Sequence, residues 1–88
     1  MGKEELERPI QRLRAEIRKL GEEDQAIKRR MARLVAELER ELESSEEGER
    51  EPQLIDSLQR NIERFEAEHP RLTGVLHQIM VELSNMGI

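Results

Sequence analysis

The chain has 88 residues, enough for one domain at most. Charged residues make up 40% of it and aromatic residues 1%, a composition typical of long helices and coiled coils. Cysteine is absent, which excludes disulfides and thiolate metal sites. Because a chain this short buries only about 60% of its unfolded surface, regular helix packing or oligomerisation must stabilise it.

The charge is distributed unevenly along the chain. Residues 1–40 contain 11 Lys and Arg against 9 Asp and Glu, a balance of +2, and residues 41–88 contain 4 against 11, a balance of −7. The two halves could therefore attract each other, within one chain or between two. The net charge of −5 disfavours general nucleic-acid binding, so we expect no nucleic-acid partner.

Neither a targeting signal nor a membrane span is evident in the sequence. The N-terminus is too acidic for a signal peptide. The longest uncharged run covers residues 72–81, far short of the roughly 20 residues that span a bilayer. We therefore expect a soluble cytoplasmic protein with no membrane partner.

The first half of the chain carries an apolar stripe at alternating four- and three-residue spacing. This heptad spacing predicts a helical segment over residues 4–43 and favours a helix over a strand. Asp24 is the only polar member of the stripe. The stripe consists of Leu6, Ile10, Leu13, Ile17, Leu20, Asp24, Ile27, Met31, Leu34 and Leu38.

An acidic stretch without a stripe follows at residues 44–52, where we predict a turn, with Pro52 suited to the first position of the next helix. A second heptad stripe runs through the segment 53–86, and His69 is its only polar member. The fold class is therefore all-α: an antiparallel helical hairpin of two heptad-striped segments in a single helical domain, 1–88. The second stripe consists of Ile55, Leu58, Ile62, Phe65, His69, Leu72, Leu76, Ile79, Leu83 and Met86.

Each segment contains a discontinuity, one near Gly21 and one at Pro70. Glycine costs about 1 kcal/mol inside a helix, and Asp24 could cap a new helix that begins at Gln25. Proline costs about 3 kcal/mol inside a helix and pushes His69 away from helical geometry. Either the helices run through both points, or the chain turns at both and forms four short helices. The local chemistry favours the turns, more strongly at Pro70.

The two polar members of the stripes, Asp24 and His69, come within about a helical turn of each other if the hairpin folds near residue 47. In one interpretation each residue marks a helix end near solvent. In the other they form a buried pair that fixes the register, as a single polar residue does in a coiled-coil seam.

The apolar stripe widens towards the C-terminus beyond the needs of a two-helix seam. From residue 71 to residue 88 the only charges are those of Arg71 and Glu82, and Gly74 offers a point of close backbone approach. A helix this apolar needs partners on more than one side, which are either the other helices of the same chain or a second copy. A symmetric dimer of hairpins satisfies the pattern with the fewest assumptions. We therefore predict that two hairpins dimerise into a helical bundle. The predicted association surface consists of Leu72, Val75, Leu76, Ile79, Met80 and Leu83, with Val81 further round the helix.

No combination of side chains in the sequence indicates catalysis, and we predict that the protein is not an enzyme. His69 and His77 lie about 12 Å apart on a continuous helix, too far to share a metal ion. No other histidine and no cysteine exists to complete a site. No glycine-rich phosphate loop is present either. We therefore expect no metal and no cofactor.

Four basic residues cluster at Lys28, Arg29, Arg30 and Arg33. They lack aromatic stacking partners, which nucleic-acid contacts commonly use. We interpret the cluster as a solvated helix face that pairs with Glu37 and neighbouring acids.

The C-terminal third of the chain carries a motif of higher specificity. It reads Phe65-Glu66-Ala67-Glu68-His69-Pro70-Arg71-Leu72 and ends Ser84-Asn85-Met86-Gly87-Ile88. These stretches resemble the C-terminal region of the domain-of-unknown-function 4404 family, closely over roughly the last 25 residues. The resemblance implies a small bacterial cytoplasmic protein, and it implies no activity, substrate or catalytic residue.

The sequence leaves two functional hypotheses. In the first, the protein is a self-associating helical interaction protein, an adaptor or small regulator that forms a homodimer. In the second, it is a heterotypic binding module whose C-terminal helix docks into a groove of a partner protein.

Overall fold

The computed structural model describes residues 2–43 and 52–85. The described residues form four α-helices and a single turn of 3₁₀ helix at Glu22–Asp24, and they contain no strand. The helices are α1 at Gly2–Arg18, α2 at Gln25–Glu43, α3 at Pro52–Phe65 and α4 at Pro70–Asn85.

The chain reverses direction between α1 and α2. After α1, the amide of Leu20 donates to the carbonyl of Ile17 at 3.1 Å, a bond that tightens the last turn. Gly21 follows in an extended conformation with φ of −81°, which any residue can adopt. Glycine therefore ends α1 because it stabilises a helix poorly, and no left-handed turn is involved. The new helix starts at Gln25, where the sequence placed it.

The second reversal separates α3 from α4. The amide of His69 still donates to the carbonyl of Phe65 at 2.8 Å. Pro70 then occupies the first position of α4, where its missing N–H costs nothing. The hydroxyl of Thr73 donates to the carbonyls of His69 and Pro70, both at 3.2 Å, and so reinforces the first turn.

The four helices pack side by side as an antiparallel bundle. α1 packs against α2 and α4, and α4 packs against α3 as well. Arg12 of α1 donates to Gln78 of α4 at 3.0 Å, and both chain reversals lie at the same end of the bundle, here called the turn end. Among the described residues, α2 and α3 approach each other less closely than the other neighbouring helices do, and a groove lies in the seam between them.

One continuous core runs along the bundle, which measures 39 × 20 × 17 Å. All four α-helices contribute to it, and Met31, Leu58 and Leu76 are fully buried. The core consists of Leu6, Ile10, Leu13, Met31, Leu34, Val35, Leu38, Leu54, Leu58, Ile62, Phe65, Leu72, Val75, Leu76, Ile79 and Leu83.

The prediction of an all-α fold with breaks near Gly21 and Pro70 is confirmed. Of the two alternatives, four short helices are observed, and the prediction of Pro52 as a helix start is also confirmed. The predicted acidic turn at 44–52 lies outside the described residues except for Pro52 itself. One feature went unpredicted: α1 continues through Pro9, which is buried within the helix.

We expect Leu76→Ala to lower the free energy of unfolding by about 2–5 kcal/mol, because Leu76 is fully buried at the centre of α4. That is a large part of the about 5–15 kcal/mol of a typical domain. Chemical denaturation followed by circular dichroism measures the change. Val81→Ala is the matched control on the exposed side of α4, with an expected loss below about 0.5 kcal/mol. Equal effects of the two substitutions would contradict the burial of Leu76.

Candidate functional site

The inner face of α4 contains most of the association surface predicted from the sequence. Leu72, Val75, Leu76, Ile79 and Leu83 are all buried within the single chain, where they contact the core formed with α1 and α3. Met80 is half-buried at the edge of this core. These five leucine, valine and isoleucine side chains are therefore unavailable as an outer surface, and any contact made by folded chains must use another side of α4.

The outer face of α4 is free of charge over three helical turns. Its centre is Val81, which is 41% exposed and is the only large, largely exposed hydrophobic side chain among the described residues. A Cβ atom placed on Gly74 would meet nothing within 4 Å, so the helix backbone is open there. This uncharged face consists of Gly74, His77, Gln78, Val81, Ser84 and Asn85, all exposed.

The outer faces of the other helices are charged. α1 exposes Arg8 and Arg12, and α3 exposes Glu63 and Arg64. On α2 the exposed positions include Arg29, Arg33 and Arg40. In a chain with 40% charged residues, the uncharged face of α4 is therefore a distinct surface.

The predicted polar pair lies at the turn end of the bundle. Nε2 of His69 is 3.8 Å from Oδ1 of Asp24, and both side chains are about three-quarters buried, with 22% and 23% exposed. The two residues line a shallow cavity of about 330 Å³ together with Leu20, Gly21 and Leu72. The structure thus brings together the two polar stripe members, at the point where both hairpins turn.

The basic cluster on α2 is divided between two surroundings. Arg29, Arg30 and Arg33 are all exposed, and of these three only Arg30 also lines the seam towards α3. The expected ion pair with Glu37 is not found among the described residues. The ion pair that does join α2 to a neighbouring helix connects Arg14 to Glu39.

The open seam between α2 and α3 contains a polar residue that the sequence analysis missed. Asn61 is only 5% exposed and lines a groove of about 400 Å³ with Ser57, Arg30 and Glu37. Its Nδ2 donates to the carbonyl of Ser57 at 2.7 Å, whereas Oδ1 is buried and has no hydrogen-bond partner in the part of the chain that the structure describes. Its position three residues after Leu58 places it on the apolar face of α3. That spacing is the sequence signal from which its burial could have been predicted.

The described residues contain neither a metal-binding cluster nor a membrane-spanning helix. Within the described ranges 2–43 and 52–85, no group of three or more His, Asp or Glu side chains is arranged to hold a metal ion. In the same ranges, no helix combines the length and the apolar character needed to cross a bilayer.

The fold and surfaces described above define a small antiparallel four-helix bundle with one uncharged outer face. The family model described as Domain of unknown function (DUF4404) matches residues 6–88. Because the match covers nearly the whole chain, the protein belongs to this family. Neither the curated proteins nor the solved structures include a significant match.

We expect a coupling energy of about 0.2–1 kcal/mol between Asp24 and His69, because both side chains retain contact with solvent. A double-mutant cycle of Asp24→Asn and His69→Gln, followed by chemical denaturation, measures it. Loss of about 3 kcal/mol or more from either single substitution would instead indicate a buried pair that fixes the register. A coupling energy of zero would show that the two side chains do not interact and that each only marks a helix end.

Proposed function

We propose that the protein is a helical interaction protein that acts as an adaptor or small regulator, and that two copies pair through the uncharged outer face of α4. The observation that carries this proposal is the absence of charge from six exposed positions between Gly74 and Asn85. The lack of cysteine is compatible with a reducing cytoplasm, which we propose as its location.

Charge favours a second copy as the occupant of this face. In a twofold-symmetric interface, a residue near the axis meets its own copy. A charged residue would therefore face a like charge, which is unfavourable. The outer faces of α1, α2 and α3 all carry charges, whereas Gln78 or Val81 of α4 can lie on the axis without repulsion. A partner of different sequence would place no such restriction on the face.

The size of the face sets the strength of the pairing. From Gly74 to Asn85 it is about 17 Å long and about 10 Å wide. That is well below the about 800 Å² per partner of a standard stable interface. The open backbone at Gly74 lets a second helix approach closely, which increases contact per unit length. We therefore expect a transient dimer with a dissociation constant in the micromolar range or weaker.

A second candidate function is heterotypic binding, in which the same face of α4 docks into a groove of another protein. Met80, half-buried beside the exposed Val81, favours it. Methionine side chains adapt to irregular surfaces and are common where one protein binds different partners.

We expect Val81→Asp to abolish self-association while leaving the bundle folded, because the substitution puts a like charge on each side of the interface. Sedimentation equilibrium over a concentration series measures the average mass, and circular dichroism checks the fold. The matched control is Ala32→Asp, which adds the same charge at an exposed position of α2.

In this experiment the wild type and Ala32→Asp should approach the mass of two chains as concentration rises, and Val81→Asp should stay at one. A wild type that remains monomeric at every concentration would contradict self-association and leave the heterotypic candidate. A Val81→Asp variant that associates like the wild type would exclude the outer face of α4.

A further inference from the structure

The groove in the α2–α3 seam is separate from the face of α4 discussed above. It is formed where α2 and α3 fail to close against each other, and its volume of about 400 Å³ lies within the usual range for small-ligand sites. The lining residues are Arg30, Glu37, Leu54, Asp56, Ser57, Arg60 and Asn61. Six of these seven side chains are polar, so the groove is suited to a hydrophilic ligand.

The orientation of Asn61 is fixed by its neighbour. The carbonyl oxygen of Ser57 can only accept a hydrogen bond, so the atom 2.7 Å from it must be the Nδ2 donor. Oδ1 is consequently a buried acceptor, and it has no partner among the described residues. A buried acceptor without a partner costs free energy that a ligand N–H group would recover. The side chain of Asn61 lines the groove, so a ligand group bound there lies next to this acceptor.

The four charged residues of the groove are all exposed. Arg30, Arg60, Glu37 and Asp56 form no ion pair with any described residue. Because α2 and α3 are antiparallel, both arginines lie nearer the turn end and both carboxylates lie further from it. The step from Arg30 to Glu37 is seven residues and that from Asp56 to Arg60 is four, which gives a separation of about 6–10 Å along the helix axes.

We propose that this groove binds a short peptide with two free ends. The carboxylate of the peptide pairs with Arg30 and Arg60, its amino group with Glu37 and Asp56, and a backbone N–H with Oδ1 of Asn61. An extended peptide spans about 3.5 Å per residue, so two or three residues match the separation of about 6–10 Å. A single amino acid is too short to reach both ends.

Triglycine is the probe for this proposal, because it offers both ends and no side chain. Titration of the ¹⁵N-labelled full chain, followed by two-dimensional NMR, should shift amide signals in residues 30–37 and 54–61. For a ligand of this size we expect a dissociation constant of about 1 mM. N-acetyl-triglycine and triglycine amide each lack one charged end and should bind about tenfold more weakly.

Three variants test the residues assigned to the groove. Asn61→Leu keeps the number and branching of the side-chain heavy atoms and removes the acceptor, so it should fold and lose about tenfold in affinity for triglycine. Arg30→Gln should weaken binding similarly. Arg29→Gln, its neighbour on the exposed side of α2, is the matched control and should bind like the wild type.

The outcomes separate this inference from the pairing through α4. Val81→Asp should bind triglycine normally, since Val81 lies outside the groove. Absence of shifts at several times the expected dissociation constant would overturn the proposal. Equal binding of triglycine and its capped forms, or of wild type and Asn61→Leu, would overturn it too.

Discussion

The structure depends on the burial of α4 between α1 and α3. This helix is the least charged of the four, and its apolar residues cover more of its circumference than one neighbour can bury. Contact with α1 on one side and α3 on the other satisfies that surface within a single chain. The arrangement requires the chain to reverse at Gly21 and again at Pro70. The two breaks are therefore what allows four helices to share one core.

Local chemistry made much of this fold predictable. The start of α4 at Pro70 follows from proline geometry, which acts over a few residues, and the predicted start of α2 at Gln25 is observed as well. The sequence also predicted that α4 needs more than one partner helix. It could not predict which helices those are. An apolar stripe indicates how much of the helix surface must be buried, but it does not indicate which element covers that surface. The sequence therefore left open whether other helices of the same chain or a second copy cover the helix, and in the structure α1 and α3 of the same chain contact its inner face.

The candidate sites also differ in how far the sequence predicted them. Asp24 and His69 stood out as the only polar members of the two stripes. Because both chain reversals lie at the turn end, Nε2 of His69 comes within 3.8 Å of Oδ1 of Asp24. Asn61 did not stand out, because asparagine on a helix is usually exposed. Only the three-dimensional structure reveals that its Oδ1 atom is buried and has no hydrogen-bond partner within residues 2–43 and 52–85. The sequence placed Val81 further round α4 than the predicted association surface, but its position at the centre of an exposed face follows only from the burial of the rest of the helix.

The central claim is that each chain completes its own bundle, with the inner face of α4 against α1. Methyl NOEs between the core residues of α1 and α4 test it most directly. They are recorded on a uniformly labelled sample and on a mixture of labelled and unlabelled chains, where an isotope filter selects contacts between chains. The account predicts these NOEs in the uniform sample at low concentration and none in the filtered mixture. NOEs between α1 and α4 that appear in the filtered mixture would show that the core is formed between chains, and would contradict it.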